Sequence, residues 1–148
     1  MRTYRKPFQP QHFQALGDIV EDIDVDHNLM FASSKHPSCT FYGGNGDPLC
    51  CGGFVPMWSG LGITWAFVSA RLAHSPYRKD ILANVKQWHK DMALVFKLRR
   101  LQSDVTTGFR KGRALVLLLG YKPESEMVDY GPKGETMTRY VWLAKEHL

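Results

Sequence analysis

The sequence predicts a mixed α/β fold in which an antiparallel meander is followed by a β-α-β-α half and a C-terminal hairpin. Two observations support this prediction. Residues 38–70 hold three segments of strand-like composition, joined by the tight-turn sequences GGNGD and SGLG. From residue 76 onward, segments with apolar residues at helical spacing alternate with strand-like segments. A meander that leads into such an alternation is typical of a mixed sheet with helices on its faces.

The N-terminal part begins with a short strand at residues 3–6. Pro10 then stands where the first turn of a helix tolerates proline. This first helix is expected to reach about residue 22, because its apolar residues keep helical spacing. Residues 24–37 show no clear period, which indicates a loop with room for one more helical turn. The apolar residues of the helix are Phe13, Leu16, Ile19, Val20 and Ile23.

The meander should contain three strands. Gly52-Gly53 and Pro56 interrupt the second strand, which is therefore expected to be bulged or bent. The third strand, ITWAFVSA, is rich in β-branched and aromatic residues, which favours a central position. Trp58 and Trp65 are expected in the core, or at an interface if their face stays open. The three strands are predicted at residues 38–42, 48–58 and 63–70.

The second half begins with a long amphipathic helix over residues 76–98. His89 is expected on its solvent side. The residues expected to face the sheet are Ile81, Val85, Trp88, Met92 and Phe96. The later elements are a strand at 101–107, a helix at 108–119 and a hairpin of strands at 126–130 and 138–144. All elements are assigned to one domain covering residues 1–148.

The net charge of +5 favours acidic partners. The basic residues cluster at Arg78-Lys79 and at residues 97–100 and 110–113. Because no nucleic-acid motif is present, these clusters would bind nucleic acid only through non-specific electrostatics. No apolar stretch reaches the roughly 18 residues that a membrane span needs.

The three cysteines are Cys39, Cys50 and Cys51. Their odd number and the adjacency of two of them argue against a disulfide framework. They are expected to be reduced thiols within strands of a protein made in a cytoplasm, and a reactive thiol is the alternative. The histidines do not show metal-ligand spacing, so no metal site is expected.

The end of the last helix, where Gly120-Tyr121 closes an apolar run, resembles the GNAT acetyltransferase superfamily. In that family this helix commonly ends in glycine, which adopts a left-handed conformation cheaply, followed by an aromatic residue. The segments YGGNGDPLCCGGF (42–54) and WAFVS (65–69) narrow the resemblance to the small acetyltransferase-like virion proteins of short-tailed bacteriophages. The similarity spans about residues 38–144. It implies a GNAT sheet that splays between its fourth and fifth strands, where the pantetheine arm of acetyl-CoA enters.

The resemblance also implies where acetyl-CoA would bind. In the family, the motif Gln/Arg-x-x-Gly-x-Gly/Ala at the start of the long helix holds the pyrophosphate with backbone N–H groups. Here Arg78 and Ala83 match the motif, but Ile81 replaces its glycine and would crowd the phosphate, and Asp80 adds a negative charge. The sequence therefore predicts that no cofactor is bound. If acetyl-CoA is bound, the candidate residues are Val68, Arg78, Lys79 and Ala83.

An ordinary helix start explains the same residues more simply. Ser75 would cap the helix, Pro76 would lie in its first turn and Ile81 would face the core.

The residues for proton transfer in the family are also altered. The tyrosine that protonates the leaving thiolate is replaced by Val116, which cannot transfer a proton. Tyr121 or Tyr130 could substitute, although core or edge positions explain them more simply. Residues 48–70 lack Asp and Glu, so the glutamate that often serves as base in the family is missing. Asp104 and His74 remain as candidate bases, and nothing in the sequence pairs them.

Since the acid, the base and the phosphate cradle are all altered, the sequence predicts a GNAT-like fold that has lost its reaction. The preferred interpretation is a bacteriophage virion component, made in the host cytoplasm and then carried in the virion. Its partners would be portal, tail or internal proteins, and Tyr77 and Leu94, which fall partly off the apolar stripe, are candidate interface residues. The alternatives are a divergent acyl-CoA-dependent N-acetyltransferase and a basic nucleic-acid-associated protein.

Overall fold

The computed structural model describes residues 2–20, 32 and 35–148. In this part of the chain the strands and helices follow each other in the predicted order. The strands are β1 (Thr3–Pro7), β2 (Ser38–Gly43), β3 (Pro48–Trp58), β4 (Leu61–Val68), β5 (Arg100–Thr106), β6 (Lys122–Met127) and β7 (Met137–Leu143). The helices are α1 (His12–Ala15), α2 (Arg78–Phe96) and α3 (Arg110–Leu118), and the 3₁₀ turns are Ala70–His74 and Ala144–Glu146.

The seven strands form one mixed sheet in the order β1-β2-β3-β4-β5-β7-β6. The pairs β1–β2, β2–β3, β5–β7 and β6–β7 are antiparallel, whereas β4 and β5 are parallel. The parallel ladder is short, because it joins only residues 61–63 of β4 to residues 100–102 of β5. By contrast, β5 pairs with β7 along its whole length. The predicted fold class is confirmed.

The chain packs as two compact units. The first unit holds residues 1–55 and 64–89, and the second holds residues 56–63 and 90–148. The single domain predicted for residues 1–148 stays a prediction.

The core of the first unit is built on the inward face of β4. Trp65 and Phe67 share this face because side chains two residues apart on a strand point the same way. The ring of Trp65 meets that of Phe8 edge-on at 5.3 Å, and the ring of Phe67 meets that of Phe13 at 4.7 Å. The buried cluster consists of Phe8, Leu16, Cys51, Trp65 and Phe67.

The C-terminal end of α1 is tied to this unit by side chains from the turn after β4. The Ser69 hydroxyl donates to the Leu16 carbonyl at 2.8 Å. The Arg71 guanidinium donates to the carbonyls of Ala15, Leu16 and Pro48 at 3.1, 3.2 and 2.9 Å. These bonds satisfy carbonyls that the end of a helix leaves unpaired, and they fix α1 to the start of β3.

Gly53 of β3 lies where the neighbouring strand leaves no room for a side chain. It pairs with Ser38 of β2. A Cβ at this position would come within 2.5 Å of the Pro37 carbonyl oxygen and 2.7 Å of the Ser38 Cβ. The irregularity predicted for β3 is present, but the register shifts opposite Phe41 and Tyr42 and not at Gly52-Gly53.

The core of the second unit lies between α3 and the β5–β7 pair. Gly112 allows the close approach of α3, since a Cβ there would be 3.0 Å from the Val105 Cγ1. Gly120, with φ of +96°, ends the helix, and the Tyr121 N–H donates to the Val116 carbonyl at 2.9 Å. The buried side chains include Leu101, Val116, Leu119, Tyr121, Met137, Tyr140, Val141 and Trp142.

The first helix is shorter than predicted. It ends at Ala15, and Gly17 follows with φ of +69°, which takes the chain out of the helical direction. Ile19 then forms a bridge with Ser69 and is not helical. The predicted end of this helix near residue 22, and most of the loop at 24–37, lie outside the described residues.

The faces of α2 also differ from the prediction. Ile81 and Trp88 are buried as expected, but Phe96 is 46% exposed. His89, expected in solvent, is buried and bonds through Nδ1 to the Val85 carbonyl at 2.8 Å. The buried positions of α2 are Ile81, Trp88, His89 and Ala93, whereas the exposed Phe96 is the last residue of the helix.

The first strand of the C-terminal hairpin begins earlier in the chain than predicted. Residues 126–130 were predicted as a strand, whereas β6 covers Lys122–Met127 and begins directly after the buried Tyr121. β6 stands at the end of the sheet order, carries Pro123 and shifts register between Pro123 and Ser125.

Trp58, at the end of β3, is 64% exposed, whereas Trp65 is buried. No helix among the described residues has the length and apolar character to cross a membrane.

Candidate functional site

The start of α2 is built as the sequence predicts for an ordinary capped helix. The Ser75 hydroxyl accepts a hydrogen bond from the Tyr77 N–H at 3.1 Å, and the Ser75 carbonyl accepts one from the Arg78 N–H at 3.2 Å. Pro76 precedes them in the turn, where its missing N–H costs nothing. The side chains of Arg78 and Lys79 are exposed, so this helix start presents two cations to solvent.

Ile81 points away from the surface of this helix start. Its side chain is fully buried, and its N–H donates to the Tyr77 carbonyl at 2.8 Å. This burial agrees with the interpretation of an ordinary helix start, in which Ile81 faces the core, and the crowding of a phosphate at this turn stays a prediction.

Asp80 faces a neighbouring cation. Its Oδ2 lies 3.9 Å from the Arg2 Nε, and this oxygen is buried without a hydrogen-bond partner. A carboxylate in the first turn is also stabilised by the helix dipole.

The other residues singled out from the sequence are placed less favourably for a ligand. Val68 is buried, and its carbonyl already accepts a hydrogen bond from the Val20 N–H at 2.8 Å. Ala83 is exposed on α2. The ring of Tyr77 packs against the turn after β2, because a Cβ at Gly43 would be 2.7 Å from it. Leu94, by contrast, is 66% exposed.

A cluster of ionisable side chains in the second unit joins β5 and β7. Arg139 of β7 lies opposite Asp104 of β5, and its guanidinium donates from Nε to Asp104 Oδ1 at 2.9 Å and from Nη2 to Oδ2 at 3.1 Å. Tyr130 donates its hydroxyl hydrogen to Asp104 Oδ2 at 3.2 Å and accepts from Arg139 Nη2 at 3.3 Å. Arg100 and Glu124 form a second ion pair between β5 and β6.

Tyr130 is the exposed member of this cluster. The residue as a whole is 48% exposed, whereas the side chain of Asp104 is only 9% exposed. Partial burial, followed by the negative charge of Asp104, raises the pKa of the Tyr130 hydroxyl above its ordinary value of 10.0. Tyr130 therefore keeps its proton at neutral pH.

The loop that carries Tyr130 is held in a specific conformation. Asp129 has φ of +55°, a left-handed conformation that is uncommon outside glycine. The Gly131 N–H donates to the Glu135 carbonyl at 3.0 Å, and the Glu135 carboxylate accepts from the Lys133 N–H at 3.2 Å. Both contacts close the loop between β6 and β7 next to Tyr130.

Of the groups proposed for proton transfer, the structure brings together only Asp104 and Tyr130. Tyr121 is a buried core residue, and Val116 is buried on α3. His74 is exposed at the end of the 3₁₀ turn in the first unit. Sequence reasoning missed Arg139, although an arginine inside the strand-like sequence MTRYVWL was a signal.

The three cysteines lie in strands, as predicted, and all three are free and buried. Burial is the main cause that raises the pKa of Cys39 and of Cys51 from 9.0 to about 12, and it raises that of Cys50 as well. The thiolate is the reactive form, so the alternative of a reactive thiol is not supported.

We expect the native thiols to resist modification by a thiol reagent at pH 8, and all three to react after unfolding. A folded-state pKa above the unfolded value of 9.0 stabilises the fold below pH 9, and this stabilisation is lost as the pH rises towards 12. Above pH 9 the thiols of Cys50 and Cys51 ionise in the unfolded state but not in the folded state. Each of them should then lower the free energy of unfolding by about 1.4 kcal/mol per pH unit. Urea unfolding from pH 8 to 11 measures the slope, and Cys51→Ala should lose its share. Rapid modification of the native protein would contradict the burial.

Within residues 2–20, 32 and 35–148, no group of three or more His, Cys, Asp or Glu side chains could hold a metal ion.

No protein-family profile and no curated protein sequence matches the chain. Solved structures do match it along nearly its full length. A GNAT-family acetyltransferase from Bacillus anthracis superposes with a TM-score of 0.74 at 12% identity, covering 98% of this chain and 96% of the other. The chain has the fold of the GNAT acetyltransferases.

Two further GNAT-fold structures are similar to the same extent. A spermidine N-acetyltransferase from Vibrio cholerae gives a TM-score of 0.71 at 8% identity, covering 99% of this chain and 96% of the other. The yncA protein of Salmonella typhimurium, solved with its cofactor acetyl-CoA, gives 0.67 at 14% identity with the same coverage. None of these three is a virion protein by name, so they give no support to the narrower resemblance to bacteriophage proteins. At these identities the likeness establishes the GNAT fold and not the activity.

Proposed function

We propose that the protein is a divergent acyl-CoA-dependent N-acetyltransferase. The observation that carries this proposal is the start of α2, where Arg78 and Lys79 are exposed at a capped helix N-terminus and Ile81 is turned into the core. A helix N-terminus with two cations favours a phosphate group, since the backbone N–H groups and the helix dipole point towards it. The named enzymes that share the GNAT fold over nearly the whole chain support the same function.

The residues at this helix start fit the pyrophosphate of acetyl-CoA by charge, although they lack the glycine of the family motif. Arg78 would form charge-assisted hydrogen bonds with phosphate oxygens, and Lys79 would add a second positive charge. The negative charge of Asp80 would repel the phosphate less than that of an isolated carboxylate, because the guanidinium of Arg2 lies next to it. When bound, acetyl-CoA supplies the acyl group as an activated thioester.

The second candidate function is a non-catalytic role in which the GNAT fold acts through protein contacts. It is favoured by the exposure of Leu94, Val95 and Phe96 at the end of α2, and by Val116 in place of the family's tyrosine. In a bacteriophage virion, the setting first inferred from the sequence, the partners would be portal, tail or internal proteins. The exposed basic residues would then add only non-specific attraction to nucleic acid.

Calorimetry with acetyl-CoA separates the two candidates. The acetyltransferase proposal predicts a dissociation constant in the micromolar range, and Arg78→Ala should weaken binding about tenfold, or about 1.4 kcal/mol. Lys86→Ala is the matched control, because Lys86 is an exposed cation further along α2 and should bind acetyl-CoA like the unmodified protein. The sequence-based prediction, by contrast, is that no cofactor is bound. An absence of binding heat would agree with that prediction and would favour the second candidate.

A further inference from the structure

We propose that one end of the second unit docks on an anionic lipid surface. Two segments, residues 56–59 and 94–97, form the docking surface, which we call the apolar tip. Trp58 and Leu94 insert between the lipids, and Lys97 contacts their phosphate groups. The inference goes beyond the proposed acetyltransferase function and does not depend on it.

The two segments of the apolar tip lie at the same edge of the sheet. β3 ends at Trp58 and β4 begins at Leu61, whereas α2 ends at Phe96 and β5 begins at Arg100. Because β4 and β5 are parallel and Leu61 pairs with Arg100, both chain turns lie where these two strands begin.

Hydrogen bonds join the two turns. The N–H groups of Arg99 and Arg100 both donate to the Gly60 carbonyl, at 2.8 and 3.0 Å, and the Arg99 guanidinium donates to the Ser59 carbonyl at 3.2 Å. Arg99 also packs over Gly60, where a Cβ would lie 2.5 Å from its Nη1 atom. The turn after β3 is thus fixed against the loop after α2, which makes the apolar tip one surface.

Both segments of the apolar tip expose large apolar side chains. Each of these side chains belongs to a residue that is between 46% and 67% exposed. Exposed apolar side chains that lie together mark a site of interaction with a protein or a membrane. The residues are Met57, Trp58, Leu94, Val95 and Phe96.

The directions of these side chains favour a lipid surface over a groove on a protein. Successive residues of a helix point about 100° apart, so Leu94, Val95 and Phe96 together cover about 200° of the circumference of α2. Met57 and Trp58 are neighbours in a strand and point to opposite faces. A protein groove takes one stripe of a helix or one edge of a strand, whereas lipid can surround a projecting tip on several sides.

The charges of the apolar tip complement an anionic surface. Lys97 and Arg99 are exposed directly after the apolar residues of α2. Residues 48–70 and 92–103, which carry the two turns, contain no Asp or Glu. A lipid surface with negative head groups attracts such cations, and the long side chains of Lys and Arg can reach the head groups while apolar neighbours insert.

The acidic residues nearest to the apolar tip do not cancel this attraction. Asp91, earlier on α2, is only partly exposed. Glu124 and Glu146, on neighbouring elements, are held in ion pairs by Arg100 and Lys122. A second copy of the chain is a poorer occupant than anionic lipid, because two tips facing each other would bring like positive charges together.

Trp58 is suited to the boundary between lipid and water. Its indole combines a large apolar ring with one N–H donor, and tryptophan is therefore enriched where one end of a side chain is apolar and the other is wet. Its position at the end of β3, with more than half of the residue exposed, leaves this ring available to such a boundary.

Vesicle sedimentation tests the docking with the full-length protein. We expect vesicles of phosphatidylcholine with one quarter phosphatidylglycerol to bind it at least about tenfold more tightly than phosphatidylcholine alone. Trp58→Ser and Leu94→Ser should each weaken this binding about tenfold, because less apolar surface is buried in lipid. Lys97→Gln should weaken it about fivefold, the loss typical of one cation near an anionic surface.

The matched controls lie in the loop between β6 and β7. This loop is at the opposite end of β5 from the apolar tip, because Met137 pairs with Thr106. Val128 and Lys133 are exposed there, so Val128→Ser and Lys133→Gln should bind vesicles like the unmodified protein. All these variants change exposed residues and should keep the thermal unfolding midpoint of the unmodified protein.

Tryptophan fluorescence gives a second readout of the same docking. Trp58 is exposed, whereas Trp65, Trp88 and Trp142 are buried. A shift of the emission to shorter wavelength on addition of anionic vesicles therefore reports Trp58, and lipids with brominated chains should quench it. Trp58→Phe should keep most of the binding and lose the shift.

Three outcomes would overturn the proposal. The first is binding that Trp58→Ser and Leu94→Ser leave unchanged and that about 0.5 M salt abolishes, since this would be charge attraction alone. The second is an absence of binding to either kind of vesicle, which would leave a protein as partner of the apolar tip. The third is self-association without lipid that Trp58→Ser abolishes in sedimentation velocity, which would assign the tip to a second copy. None of them bears on acetyl-CoA binding, so the proposed function is tested separately.

Discussion

Phe67→Ala is expected to lower the free energy of unfolding by about 3–5 kcal/mol, the range typical of a buried phenylalanine cut back to alanine. Phe67 has no exposed surface and packs against the rings of Phe13 and Trp65 at 4.7 and 5.8 Å. The substitution removes apolar surface that folding buries, and it leaves a cavity that the neighbouring strands cannot fill. Urea unfolding followed by tryptophan fluorescence measures the loss.

The matched control is Phe96→Ala, the same substitution on a ring that is 46% exposed. It should change the free energy of unfolding by no more than about 0.5–1 kcal/mol. A loss for Phe96→Ala as large as that for Phe67→Ala would contradict the exposure of Phe96 and would restore the sequence-based prediction that Phe96 faces the sheet.

Gly53→Ala is expected to lower the free energy of unfolding by about 1–3 kcal/mol, the usual cost of overpacking. The added methyl group would meet the Pro37 carbonyl and the backbone of Ser38, which are parts of the chain that cannot rotate away. The sign of the change in the free energy of unfolding shows whether Gly53 is crowded. A glycine in an uncrowded strand position gains stability on change to alanine, because the unfolded chain loses conformational entropy.

The same unfolding assay distinguishes the two cases. If Gly53→Ala proves neutral or stabilising, β2 must lie further from β3 than the pairing of Gly53 with Ser38 indicates. Gly53→Val should lower the free energy of unfolding more than Gly53→Ala, because the γ-methyl groups of valine extend further into the space of β2.

The sheet strands could be predicted well from the sequence, because they depend on local alternation and on turn glycines. The predicted 48–58 strand coincides with β3, and Gly120 ends α3 as its left-handed conformation requires. The exception among the strands is β6, which begins earlier than predicted. The early end of α1 is a local effect of Gly17, whereas the burial of His89 and the exposure of Phe96 on α2 depend on tertiary packing.

The candidate site could be predicted only in part, for a similar reason. Asp104 and Tyr130 were recognised as residue types suited to proton transfer, but they are 26 residues apart and nothing local links them. Their contact depends on the pairing of β5 with β7, which also places Arg139 opposite Asp104. At Ile81 the simpler interpretation of the sequence, an ordinary helix start with this residue facing the core, agrees with the structure.

The edge strand β6 has a consequence for the behaviour of the protein in concentrated solution. An exposed edge offers unpaired N–H and C=O groups to any other extended chain, and this is how many proteins begin to aggregate. Pro123 has no N–H to offer, and the register shift beside it disturbs the regular spacing that an added strand would need. The exposed charge of Glu126 would also repel a second copy of the same strand. The β6 edge is thus protected from strand addition by a second copy, whichever reaction or partner the protein serves.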